Sequence, residues 1–87
     1  MPEAAWRRSL TSIAAQLRER AALAAQAAAA LEQEGREETQ RGRNKTAAAN
    51  QGRAAHLRQR ADTYREVARL LDDAEAMLAS LQDGRDD

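Results

Sequence analysis

Between Leu31 and Leu57 the chain contains no Val, Ile, Leu, Met, Phe, Trp or Tyr. On either side of this gap, large apolar residues recur every three or four positions. That spacing marks amphipathic helices, so the chain predicts two helices joined by a segment without core material. The first stripe runs Trp6, Leu10, Ile13, Leu17, Ala21, Ala24, Ala28 and Leu31. The second runs Ala54, Leu57, Ala61, Tyr64, Val67, Leu71, Ala74, Leu78 and Leu81. Both advance by about 3.5 residues per step, the repeat of a coiled coil. The expected fold class is all-α, an antiparallel two-helix hairpin of coiled-coil type.

Helix 1 is expected over about residues 3–34. Its end has two readings, because Gly35 and Gly42 each suit the left-handed position that closes a helix; the second would carry it to about residue 41. Pro2 fits the first helical position, where a missing N–H costs nothing. A polar basic tip follows over about 35–46. Helix 2 is expected over about 47–82, with Asn44 or Thr46 able to cap it, and then an acidic tail over 83–87. A turn near Arg43 pairs positions whose numbers sum to about 86. Leu10 then meets Met77 or Leu78, Leu17 meets Leu70 or Leu71, and Leu31 lands near Ala54. Ala21, Ala24 and Ala28 face Leu57, Ala61 and Tyr64. The predicted seam is therefore Leu10, Ile13, Leu17, Ala21, Ala24, Ala28, Leu31, Leu57, Tyr64, Val67, Leu71 and Leu78.

This seam is thin. The chain has no Phe, one Trp and one Tyr in 87 residues. One small core rarely supplies more than ~3–5 kcal/mol, and with no cysteine there is no disulfide to add to it. Ala22, Leu23, Ala25, Ala27, Ala29 and Ala30 coat helix 1 away from the seam and offer a second close-packing face. A homo-oligomer is expected, most simply a dimer of hairpins making a four-helix bundle. A helical protein partner is the other way to cover such a surface.

The net charge is zero, but it is unevenly spread. Residues 35–60 carry seven basic and two acidic side chains, and residues 61–87 carry three basic and eight acidic. The cations Arg36, Arg41, Arg43, Lys45 and Arg53 gather around the tip and could contact an anion or nucleic acid. No aromatic residue accompanies them for base stacking, so nucleic acid stands as the alternative reading.

Catalytic and cofactor chemistry find no support. His56 is the only histidine, and its helical neighbours at positions 52, 53, 59 and 60 are Gly, Arg, Gln and Arg, so no metal-ligand pair forms. Asp72, Asp73 and Glu75 cluster on a straight helix beside Arg69, which suits a solvated ion-pair face. The glycines are too dispersed for a phosphate loop. No catalytic, cofactor-binding or metal residue is assigned. The most apolar run, Ala21 to Leu31, is far short of the ~20 residues that span a bilayer. The expectation is a cytoplasmic, non-enzymatic protein–protein interaction module, an adaptor, regulator or chaperone-like protein. Twenty-two alanines, and arginine at all but one of the basic positions, fit the codon bias of a GC-rich bacterial or phage genome.

Overall fold

The computed structural model describes residues 3–85, and side-chain exposure for 5–83. Pro2 and the Asp86–Asp87 end of the acidic tail lie outside the described residues. Two helices, α1 (Glu3–Gln40) and α2 (Asn44–Arg85), pack along each other as an antiparallel hairpin. The molecule is a rod of 69 × 15 × 13 Å.

The connection is shorter than the composition suggests. α1 continues through Gly35 to Gln40, and α2 begins at Asn44, so the tip expected over 35–46 shrinks to Arg41–Arg43. Gly42 takes φ +78°. Its N–H donates to the Thr39 carbonyl at 3.0 Å, and the Arg43 N–H donates to the Glu38 carbonyl at 2.8 Å. This is the double bond pattern of a glycine-terminated helix, which satisfies carbonyls the helix leaves free. Arg43 then opens α2, since its carbonyl accepts the Ala47 N–H at 3.0 Å. Neither Asn44 nor Thr46 caps the helix, because the chain reverses too tightly to leave either residue ahead of it. α2 also runs past the expected end at 82, to Arg85.

What the hairpin buries differs from the predicted seam. Among the described residues the buried apolar side chains are all alanines: Ala14, Ala21 and Ala28 on α1, and Ala47, Ala54, Ala61 and Ala68 on α2. On each helix they are seven residues apart. Gly35 continues the first column and is buried too. A strict seven-residue repeat keeps one side of a supercoiled helix facing its partner, and alanine there lets the two backbones come close. Gly35 shows the approach directly: a Cβ built on it would lie 3.5 Å from the Ala47 carbonyl oxygen and 3.4 Å from Gln51 Cγ. The 32–56 gap is thus not free of core. It carries Gly35, Ala47, Ala54 and the buried Asn50 instead of large side chains.

The register follows from the contacts between helices. Arg7 pairs with Glu75 and Gly35 sits against Ala47, both summing to 82. Arg18 pairs with Asp72 and Glu32 with Arg58, both summing to 90. These pairs bracket the expected value of 86.

Candidate interaction surface

A step of four residues advances the helix about 40° past the starting side, and a step of three leaves it about 60° short. The two sides of the alanine columns therefore carry different residues.

Four residues after the column alanines stand Arg18 and Glu32 on α1, and Arg58 and Asp72 on α2. They form two cross-helix ion pairs with the charges exchanged between helices: Arg18 with Asp72, and Glu32 with Arg58. Arg58 Nε donates to Glu32 Oε2 at 2.9 Å. That hydrogen bond, followed by the guanidinium charge, holds the Glu32 carboxyl below its usual range. Arg65 and Arg69 share this flank with Arg18, and they pair along α2 with Asp62, Glu66 and Asp73. The Glu66 carboxyl is lowered by its hydrogen bond from Arg69 and by the same charge. The Asp72–Asp73 cluster thus belongs to an ion-paired face, as its sequence neighbours imply.

Three residues after the column positions comes the other side. It carries Leu10, Leu17, Ala24 and Leu31 on α1, and Leu57, Tyr64, Leu71 and Leu78 on α2. None of these is fully buried. Leu78 is 44% exposed. Beyond them on the same side, Ile13 is 45% exposed and Val67 40%. Ile13, Val67 and Leu78 were expected in the seam, but Ala14 and Ala68 occupy it instead. Each alanine lies one residue beyond Ile13 and Val67, a step of about 100° around the helix. Leu81 repeats the Val67 position and is 58% exposed, whereas Leu70 and Met77, at 53% and 66%, share the position of His56 on the outer side of α2, about 160° round from the alanine column. Trp6 closes the end of the strip in a hollow with Leu78, Leu81 and Gln82.

The apolar strip stops part-way along the rod. Nearer the tip the same side is lined by Glu34, Glu37, Glu38, Arg41, Arg43, Thr46 and Asn50. Here two of the five predicted cations are held by one carboxylate. Arg41 Nη1 donates to Glu38 Oε1 at 3.1 Å, and Arg43 Nη1 to Glu38 Oε2 at 3.3 Å. The Glu38 side chain is only 14% exposed. Arg36 donates to Gln33 Oε1 at 2.6 Å. Among the described residues, Lys45 and Arg53 make no ion pair and are exposed. Of the five predicted cations, Arg41 and Arg43 share the single Glu38 carboxylate, and Arg36, Lys45 and Arg53 make no ion pair among the described residues, so the tip keeps a net positive charge.

Sequence reasoning missed Ala14, Ala47, Asn50 and Ala68. The signal that locates the alanines is their seven-residue spacing, which large apolar residues beside them mask. His56 is exposed, beside Arg60 and Tyr64 on the outer side of α2. Among the described residues there is no group of three or more His, Cys, Asp or Glu able to hold a metal, and no helix long and apolar enough to cross a membrane. No protein-family model, characterised protein or solved structure matches the chain.

Proposed function

We propose that this protein is a non-enzymatic helical interaction module that self-associates, two hairpins forming a four-helix bundle through the leucine side. One observation carries this reading: the hairpin buries alanines completely, its leucine row only in part, and leaves Ile13, Val67, Leu78 and Leu81 exposed on the same side. Burying a methyl contributes roughly 0.8 kcal/mol, against ~1.5–3 kcal/mol for a whole Leu or Met side chain. Ile13, Val67, Leu78 and Leu81 keep 45%, 40%, 44% and 58% of their surface in water, and that area adds nothing to stability until it is covered. Covering that side with other helices removes it from water.

The test is the solution mass by light scattering, for the wild type and for Val67→Lys/Leu81→Lys. Both substituted residues are exposed in the single hairpin, so the variant should remain helical. The wild type should be an oligomer and the variant should dissociate, with affinity at least ~100-fold weaker, about 2.7 kcal/mol. A wild-type mass of 9.6 kDa at high concentration would remove the self-association reading.

A further inference from the structure

The two helices carry one segment twice. Ala14-Ala15-Gln16-Leu17-Arg18-Glu19-Arg20-Ala21 on α1 returns 40 residues later as Ala54-Ala55-His56-Leu57-Arg58-Gln59-Arg60-Ala61 on α2, with six of the eight residues identical. The same offset relates Ala28 to Ala68, Leu31 to Leu71 and Glu32 to Asp72. We infer that α1 and α2 are two copies of one helix unit, residues 14–32 and 54–72, able to pair antiparallel with its own like. Ala24 facing Tyr64 is then the size match that selects the pairing of unlike copies found in the hairpin.

The structure follows the repeat. The offset carries the buried alanines of α1, Ala14, Ala21 and Ala28, onto Ala54, Ala61 and Ala68, which are the buried alanines of α2 across the same span. It also carries the Arg18–Asp72 ion pair onto the Arg58–Glu32 pair. The exchanged charges are thus one contact seen twice, across a local two-fold axis normal to the rod. These features alone do not choose a partner. A second α1 laid on the first in this register would match alanine with alanine and set Arg18 against Glu32. Choosing between such partners needs an element that favours one pairing and penalises the other.

Ala24 and Tyr64 supply it. Column residues face each other where their numbers sum to 82, as Arg7 with Glu75 and Gly35 with Ala47, so row residues, three further along each helix, face each other at 88. Leu17 then stands opposite Leu71, Leu31 opposite Leu57, and Ala24 opposite Tyr64. Ala24 and Tyr64 are also repeat mates, so their layer lies at the axis, where pairing of like copies would set each residue against itself. Alanine on alanine leaves a gap there, and tyrosine on tyrosine is crowded. Small against large fills the layer, and both residues are half-buried. Tyr64 is held in place from its own helix. Its hydroxyl accepts from Arg60 at 3.1 Å, and the guanidinium lies 6.0 Å from the ring centre. Arg20, the repeat mate of Arg60, stands four residues before Ala24, so a tyrosine at position 24 would find the same support.

Thermal melts of the full chain at one protein concentration test this. Tyr64→Ala sets alanine on alanine and Ala24→Tyr sets tyrosine on tyrosine, so each reproduces the layer of a like pairing inside the hairpin. Neither position is fully buried, and both variants should stay helical by circular dichroism. Each should lower the melting midpoint by roughly 4–8 °C. Ala24→Tyr/Tyr64→Ala exchanges the two residues across the axis with no change in composition, and it should recover most of the loss. A double variant that melts no higher than the less stable single one would overturn the equivalence of the two sites. Single variants that melt like the wild type would overturn their part in partner choice.

Discussion

The alanine columns and the leucine row lie about 60° apart on the same helices, yet they do different work. The columns set how closely α1 and α2 approach, and their small side chains are almost wholly removed from water. The row carries the bulk of the hydrophobic area and is only partly covered. A hairpin designed to stand alone would place its leucines in the seam. Here the seam holds residues that give closeness with little burial energy, and the larger side chains flank it, partly covered, with Ile13, Val67, Leu78 and Leu81 exposed.

The largest expected effect separates the two regions by protein concentration. Leu71→Ala should cost ~2–5 kcal/mol if the leucine row is covered in an assembly. In an isolated hairpin, where Leu71 is half-exposed already, the loss should be clearly smaller. Urea unfolding above and below the dissociation concentration distinguishes the two.

Next comes overpacking of the seam. Ala28 is 0% exposed, so Ala28→Leu should force the helices apart and cost ~1–3 kcal/mol at any concentration. Ala24→Leu sits on the leucine side and is half-exposed, so it should cost less. Equal losses for the two would erase the distinction between column and row.

The glycines give smaller effects of opposite sign. Gly42→Ala meets no atoms within 4 Å but must adopt φ +78°, at a cost of roughly 1–2 kcal/mol. Gly35→Ala places its methyl at ordinary contact distance from Gln51 and Ala47 and completes the alanine column. It should stabilise the hairpin by roughly 0.5–1 kcal/mol. A thermal melt showing Gly35→Ala strongly destabilised would mean the helices are closer than the account allows.

The smallest effect is on pH. Glu32 is held below its usual carboxylate value of 4.5 by Arg58. A depressed carboxyl stabilises the fold above its unfolded value, and that contribution is lost as pH falls through the folded one. Melting temperature should therefore drop slightly below about pH 4.5, and Glu32→Gln should blunt the drop. Because the pair is solvent-exposed the change should be small.

The hairpin and its register were legible because large apolar residues mark a helical period wherever they occur. Leu17 with Leu71 and Leu31 with Ala54 fall within a turn of each other, as the turn near Arg43 requires. Which residues lie in the seam was not legible from the same marks. Ile13 and Ala14 are adjacent, as are Val67 and Ala68. Size points to the first of each pair, whereas close helix approach selects the second. Gly35 reads as a helix end by its conformational freedom, but it is needed inside the helix for its missing side chain. Asn50 falls within the expected helix 2, where no large apolar residue marks a face, and fills a buried position beside Gly35, 3.8 Å from where a Cβ on that glycine would lie. The tip cations were visible, but Glu38, which faces the same side three residues before Arg41, decides how free they are.

The most direct measurement is the melting temperature by circular dichroism across a range of protein concentration, from about 1 to about 100 µM. If the leucine row is covered by a second chain, folding is linked to association and the midpoint should rise steadily with concentration. A cooperative, fully helical melt whose midpoint does not move with concentration would contradict the account, since the alanine seam alone would then be holding the hairpin together.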